Sequence, residues 1–460
     1  MQPSIFVSIA SYRDSQCQYT VQDLFQKAAH PERVVAGICF QVAEDDGDNF
    51  LLDLGLWTDR IRTYFIRHTE AKGPCYARAL VQQHLFKGED YYFQIDSHFR
   101  FVEGWDEICL EQLGKCASAK PILTAYASSY TLPTDYKPGE PDRAVLAAAK
   151  GMTVLCADGF GDLNKDDPFL RIKTRNCRSD FGHIPPAALF WTARFAFSRG
   201  DVVHEVPYDP HLEYIFFGEE ISMSARLWTA GWDLFNPTKT IAFHLGSRAH
   251  RHWFREVQTA PDEVRRETQA KHRICGTLGV AWPDGRPHPM PPAPYGLGAA
   301  RPLQAYQDFA GVDFARQEVY ERGRNGGVSP ELLPPQWAEE ARDRVLHEAQ
   351  LKDVASWAGK GNAAAAGQAL PKAPAHAAVG HGNLKAEAAG ARDLALLRID
   401  ALRARLRGTA AGEDADLAGP AEAEAHLELS RAFCALAQAE AAAGEARRAG
   451  EAAGRALQHG

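Results

Sequence analysis

The sequence predicts an α/β protein: a mostly parallel sheet with helices on both faces, followed by an α-helical carboxy-terminal region. Three observations carry this. Short runs of β-branched and aromatic residues recur through the first half, at Ile5–Ala10, Val34–Gln41, Arg62–Ile66, Tyr91–Ile95 and Pro121–Tyr126, and no helical period fits them. Stretches of helical length lie between them, as crossovers between parallel strands require. Past about residue 359 the composition turns to Ala, Gly and Pro, then to Ala-rich segments with apolar residues at helical spacing.

The elements follow in order. Ile5–Ala10 is the first strand, and Ser11-Tyr12-Arg13-Asp14 is the polar turn after it. A helix runs over about 18–29, stopped by Pro31. Val34–Gln41 is a second buried strand and enters the acidic loop Glu44-Asp45-Asp46-Gly47-Asp48. Arg62–Ile66 is a third strand, and Pro74–Leu85 a helix with Pro at its start. Tyr91–Ile95 is the next strand, then a helix, then Pro121–Tyr126. The stretch from Ala127 to Asp180 is rich in Gly, Pro, Asp and Lys and reads as a long excursion at the sheet's edge. Leu189–Phe197 is again a strand. A helix starts at Glu219 and ends at Gly231, and Leu234-Phe235 and Thr240–His244 are short extended pieces.

The chemistry centres on Gln94-Ile95-Asp96-Ser97-His98. Side chains two apart on an extended chain point the same way. Asp96 and His98 therefore aim at one point beyond the carboxyl end of their strand, where open α/β sheets place ligands. One carboxylate and one imidazole suit Mn²⁺ or Mg²⁺. The plainer reading of the same residues is a strand-end Asp capping a turn beside a surface His. Ser8 to Arg13 and the acidic loop line the same edge, and Arg13 and Arg78 are of the type that meets phosphates. His244 ends another apolar run and could complete a metal site with Asp96 and His98. Gly218 permits an unusual turn before Glu219 and Glu220, two carboxylates in a helix's first turn, which the helix dipole favours in any case. Arg248, His250, Arg251, His252 and Trp253 form a basic, aromatic loop suited to folding over a diphosphate.

Bulk properties exclude several classes. The net charge of -8 and a pI near 6.1 argue against a nucleic-acid binder. No stretch reaches the apolar length of a membrane span, and the amino terminus lacks a signal pattern, so the expectation is a cytoplasmic protein. The nine cysteines are scattered, odd in number and without a CxxC pair, which fits reduced thiols. Neither a GxGxxG nor a Walker loop is present.

Five stretches carry a family resemblance over about residues 4–256. They are Phe6–Asp14 (FVSIASYRD), Ala71–Arg78 (AKGPCYAR), Gln94–His98 (QIDSH), Val206–Pro210 (VPYDP) and Phe217–Ser222 (FGEEIS). In this order they resemble glycosyltransferase family 60, the polypeptide α-N-acetylglucosaminyltransferases, and more distantly the mucin-type polypeptide N-acetylgalactosaminyltransferases. The resemblance implies a GT-A fold, a UDP-GlcNAc donor, Mn²⁺ or Mg²⁺, and retention at the anomeric carbon. It implies that Asp96, His98 and His244 hold the metal, and that Ser8, Ala10, Ser11, Tyr12, Arg13, Arg78, Gln94 and Ser97 hold the nucleotide sugar. It puts Glu219, and less so Glu220, near the reacting centre, with Trp191, Tyr208 and Asp209 toward the acceptor. Ser128-Ser129-Tyr130 departs from the family's Pro-rich acceptor-side loop.

Domains are expected at 1–260 (catalytic), 261–358 (a Pro-rich extension with a helix over 337–355), 359–383 (a linker) and 384–460. In the last, Ala421, Ala425, Leu427, Leu429, Phe433, Leu436, Ala437, Gly444 and Ala453 have the rhythm of a tetratricopeptide-like helical pair. Such a pair needs a further surface to bury its face, on the catalytic domain, a twin chain or a protein partner. The leading expectation is a metal-dependent, retaining N-acetylglucosaminyltransferase acting on a protein hydroxyl (Ser, Thr or hydroxyproline). The alternatives are the same fold acting on a capsule or other saccharide, and a non-catalytic sugar-nucleotide-binding scaffold.

Overall fold

The computed structural model describes residues 3–329, apart from 44–45, 47–54, 138–139, 148–151, 162–167, 178–182, 248–251, 258–260, 281–287 and 289–290. The chain divides into two units, Met1–Lys360 and Gly361–Gly460. The helix expected at 337–355, the linker and the tetratricopeptide-like pair lie outside the described residues.

In chain order the elements begin with β1 (Ile5–Tyr12), α1 (Cys17–Gln26), β2 (Val34–Val42), β3 (Ile61–Arg67), α2 (Pro74–His84), β4 (Tyr91–Asp96), β5 (Phe99–Phe101) and α3 (Trp105–Gly114). Next come β6 (Pro121–Thr124), β7 (Ser128–Thr131), β8 (Val145–Leu146), β9 (Thr153–Phe160), β10 (Leu170–Asn176) and β11 (Phe195–Arg199). Then follow α4 (Val202–Glu205), α5 (Glu219–Thr229), β12 (Asp233–Phe235) and β13 (Ala242–Leu245). The last are α6 (Pro261–Leu278), α7 (Leu303–Ala310), β14 (Val312–Asp313), β15 (Glu318–Val319) and α8 (Glu321–Arg324).

Seven strands form the main sheet in the order β12-β6-β11-β4-β1-β2-β3. Its neighbours pair in parallel except β11, which runs antiparallel to both β4 and β6. The central strands are apolar on both faces because both faces are covered. Ile5, Val7 and Ile9 of β1 join Val21 and Phe25 of α1 and Trp105 and Cys109 of α3 in one core. Phe6 points the other way, into a core with Leu80 and Val81 of α2 and Ile221 and Leu227 of α5. Trp105 has no exposed surface. It packs 5.5 Å from the Phe93 ring and 5.2 Å from Phe101, and its indole N–H donates to the Leu24 carbonyl at 2.9 Å. This satisfies the one polar group that burial would otherwise strand.

Three expectations change. The strand expected at 189–197 starts only at Phe195, because Thr192 and Ala193 turn their hydrogen-bonding groups to the Glu220 carboxylate. The excursion over 127–180 holds four strands: β7 and β8 extend a second sheet ordered β5-β13-β7-β8, and β9 pairs antiparallel with β10. The expected boundary near residue 260 does not separate two cores. Ala270, Ile274 and Cys275 of α6 and Tyr306 of α7 are buried with Ile221 and Leu227 of α5.

Candidate active site

Three ligating side chains converge beyond the carboxyl end of β4. Asp96 closes β4 and pairs in register with Ala10 of β1. His98 follows in the turn to β5. His244 arrives from far along the chain because β13 pairs antiparallel with β5, setting His244 opposite Phe99. The Nε2 atoms of His98 and His244 stand 3.0 Å apart, and His244 Nε2 is 3.2 Å from Asp96 Oδ2. All three ligand atoms lie within 4.8 Å of one another.

The donor set fits a divalent ion. Two imidazoles and one carboxylate leave open positions for substrate oxygens. Adjacent corners of an octahedron with bonds of about 2.1 Å lie roughly 3.0 Å apart, close to the observed spacings. Burial opposes ionisation of Asp96, but the His244 hydrogen bond and the charges of Arg78, His244 and His98 outweigh it and hold the carboxyl well below its usual range.

A second layer holds these ligands. Asp14 is buried in the turn after β1, with Oδ2 2.7 Å from His98 Nδ1 and accepting the Ser97 hydroxyl at 2.7 Å. Arg78 projects from α2, whose start is set by Gly73 at φ 88° and Pro74. It donates to Asp96 Oδ1 at 2.9 Å and to Glu219 Oε1 at 2.6 Å. Burial works against the Arg78 charge, yet Glu219, Tyr208 and Asp96 keep it protonated beyond the usual arginine range. Glu219 opens α5 behind Gly218, whose φ of 98° puts the chain in the left-handed region. The Tyr208 hydroxyl also donates to Glu219 Oε1, at 2.8 Å.

Glu220 faces the same cleft and is held differently. Its Oε1 accepts from the Thr192 hydroxyl at 2.6 Å and the Ala193 N–H at 3.1 Å, and its Oε2 from the Tyr126 hydroxyl at 2.7 Å. Burial raises its pKa despite these donors. At the other rim, Glu256 Oε1 accepts from the Tyr12 hydroxyl at 2.8 Å and from Arg13 at 3.0 Å. Arg13, itself at φ 44°, also bonds Asp46 at 2.9 Å. Of the acidic loop only Asp46 is described, and it is turned to Arg13.

The cleft has a volume of about 310 Å³. Of the residues expected in it, Ala10, Tyr12, Arg78, Asp96, Ser97, His98, Glu219, Glu220 and His244 line it. Ser8, Ser11, Arg13 and Gln94 are not among its lining residues. The two serines are buried, and Gln94 donates to the Ala193 carbonyl at 2.8 Å. Trp191, Tyr208 and Asp209, expected toward the acceptor, are buried and do not line the cleft: the Trp191 backbone N–H donates to the Ser224 hydroxyl and its ring lies 6.5 Å from that of Tyr208, the Tyr208 hydroxyl braces Glu219, and Asp209 pairs with Arg273 at 2.6 Å. Of the basic loop, His252 and Trp253 line the cleft, whereas 248–251 lie outside the described residues. Asp14, Tyr126, Arg171, Arg194, Phe216 and Phe217 line it without having been singled out. Asp14 had a signal, as the acid closing the polar turn after β1. Phe217 had one as the first residue of the FGEEIS stretch, whereas Phe216 lies just outside it.

The mostly parallel sheet carries at its carboxyl edge an Asp-x-His turn completed by a third ligand from an added strand, a candidate metal-dependent active site. The family model described as "Glycosyltransferase (GlcNAc)" matches residues 4–53 and 51–316, and the chain belongs to that family. Among solved structures it is similar to GalNAc-T7 with UDP, GalNAc and Mn²⁺, at 14% identity and a TM-score of 0.42, covering 60% of this chain and 49% of that one. The chain thus spans about half the length of GalNAc-T7. It is similar to TarS residues 1–349 of S. aureus with UDP-GlcNAc, at 10% identity and TM-score 0.33, covering 59% and 72%. It is also similar to the mannosyltransferase PcManGT of Pyrobaculum calidifontis with GDP-Man and Mn²⁺, at 9% identity and TM-score 0.30, covering 60% and 70%. No curated protein matches the sequence. No helix among the described residues is long and apolar enough to cross a membrane.

Proposed function

We propose that this glycosyltransferase moves N-acetylglucosamine from UDP-GlcNAc, with retention, to a hydroxyl of a protein (Ser, Thr or hydroxyproline), and that it needs Mn²⁺ or Mg²⁺ to do so. The observation that carries the reading is the convergence of Asp96, His98 and His244 in one cleft with the Arg78–Glu219 pair. Family membership and the order of the sequence motifs support the choice of sugar.

Asp96, His98 and His244 would hold a divalent ion, which when bound would supply Lewis-acid neutralisation of the diphosphate. The chain's own residues do the rest. Arg78 ties Asp96 to Glu219, so that both carboxylates hold fixed positions. Glu219 Oε1 accepts from both Arg78 and Tyr208, which makes it a poor nucleophile and a well-anchored negative charge. It is suited to stabilising positive charge at the anomeric carbon. Retention then follows from attack on the face that UDP leaves. The bond from the anomeric carbon to the phosphate oxygen breaks, the bond to the acceptor oxygen forms, and the acceptor proton passes to the departing phosphate.

The test is UDP release from a panel of UDP-sugars, with Mn²⁺ and then with chelator. The expected result is metal-dependent release from UDP-GlcNAc, abolished in Asp96→Asn and His98→Ala chains that still fold. Full activity in both variants, or release unaffected by chelator, overturns the metal reading. An inverted product anomer by NMR overturns retention.

A further inference from the structure

Two of the arginines that the sequence suggests for the diphosphate are committed elsewhere, and Arg248 and Arg251 lie outside the described residues. Arg78 is bonded to Asp96 and Glu219, and Arg13 to Asp46 and Glu256. Another arginine of the cleft, Arg194, is placed differently. The β11–β4 register sets Phe195 opposite Ile95 and Ala196 opposite Gln94. Arg194 is the residue before β11, in the turn that leads into the strand, and it lines the cleft together with Asp96, Tyr126 and Glu220. The Arg194 guanidinium lies 4.5 Å from the centre of the Tyr126 ring, whose hydroxyl is given to Glu220. Arg194 is half-buried and makes no ion pair among the described residues. A cation held on an aromatic face in a cleft, without a bonded carboxylate, is prepared for an anionic ligand.

The charge of the centre points to which anion. Asp14, Asp96 and Glu219 surround the ligand atoms, and Arg78 cancels one of the three. Glu220 adds a further carboxylate to the same cleft. A divalent ion held by the three ligands would leave these groups with no net positive charge to receive the two negative charges of a nucleotide diphosphate ester, and Arg194 is a cation of that lining to which no carboxylate is bonded among the described residues. We propose that Arg194 is the diphosphate-binding arginine of this cleft, donating to a phosphate oxygen of the donor and holding UDP as the glycosyl bond breaks. This deepens the function proposed above and rests on it. The step adds no covalent chemistry: the guanidinium keeps its protons and shares them with the leaving group.

The experiment is calorimetric binding of UDP, UMP and inorganic pyrophosphate to the full chain in Mn²⁺, for wild type, Arg194→Ala, Arg194→Gln and Arg194→Lys. Loss of one charge-assisted contact predicts UDP and pyrophosphate affinities roughly ten- to a hundred-fold lower in the Ala and Gln variants. UMP is expected to bind as before, and Lys to recover part of the loss. Wild-type affinity for UDP and pyrophosphate in both the Ala and Gln variants overturns the proposal. If the KM for the acceptor alone then rises, the arginine reads an acidic acceptor instead. Failure of the wild-type chain to bind UDP with Mn²⁺ overturns the functional reading as well, so the two failures are distinct.

Discussion

Asp14 and His98 are 84 residues apart in sequence, yet Asp14 Oδ2 stands 2.7 Å from Nδ1 of the His98 ring, with both side chains buried. An ionised carboxylate only accepts. The ring proton of a neutral His98 therefore sits on Nδ1, and the lone pair is on Nε2, the atom 3.0 Å from His244 Nε2. Replacing Asp14 with Asn weakens this choice of tautomer. The expectation is Mn²⁺ affinity about 10- to 100-fold lower, measured by calorimetry, with little change in secondary structure by circular dichroism. Unchanged Mn²⁺ affinity would show that the ring is oriented by packing alone.

Asp106 carries a structural load away from the cleft. It is fully buried at the start of α3, accepts from Arg33 at 2.6 Å, and caps the Ala29 and His30 N–H groups at 2.7 and 3.1 Å. Asp106→Ala strands the Arg33 charge and both amides. A loss of about 3–5 kcal/mol is expected in chemical denaturation.

Gly218 is required twice over. Its φ is 98°, and a Cβ there meets Phe169 Cδ2 at 2.7 Å and Ile274 Cδ1 at 3.0 Å. Gly218→Ala is expected to cost about 1–3 kcal/mol from the backbone alone. Glu219 is the next residue, so sugar transfer should fall more steeply than stability. Equal losses would mean that α5 shifts without moving its carboxylate.

Glu220 gives a pH signature. Burial raises its pKa in the folded chain, against the Thr192, Tyr126 and Arg194 contributions. The unfolded chain thus releases this proton at lower pH than the native one. Native stability falls as pH rises from the ordinary glutamate value to the raised one. Glu220→Gln removes this dependence, so the variant should gain on wild type across that window in denaturation at successive pH values. A constant difference across the window would refute the assignment.

Much of the fold was legible because central strands buried on both faces leave unbroken apolar runs, as at Ile5–Ala10 and Val34–Gln41. Asp96 and His98 were legible for a local reason, two residues on one extended strand. His244 was only a His ending an apolar run, since its position depends on the pairing of β13 with β5, which no local pattern encodes. Ser8 and Ser11 are buried and outside the cleft lining because strand alternation sends Ser11 to the opposite face from Ala10 and Tyr12, and Ser8 sits deeper along the strand. Trp191, Tyr208 and Asp209 carried polar or aromatic chemistry that the fold spends on support. Arg194 became visible only as part of the cleft lining, beside Asp96, Tyr126 and Glu220.

The three cleft ligands come from the end of β4, the turn after it and β13 of the second sheet, and 148 residues separate Asp96 from His244. An ion bound there would also be a cross-link, joining β4 of the main sheet to β13, which is held in the second sheet by three-residue pairings with β5 and β7. Loading the site should therefore tighten the whole second sheet, not the cleft alone. By mass action a hundred-fold excess of Mn²⁺ over its Kd adds about 2.7 kcal/mol to the folded state. Hydrogen exchange along β13 and β7 should slow with it.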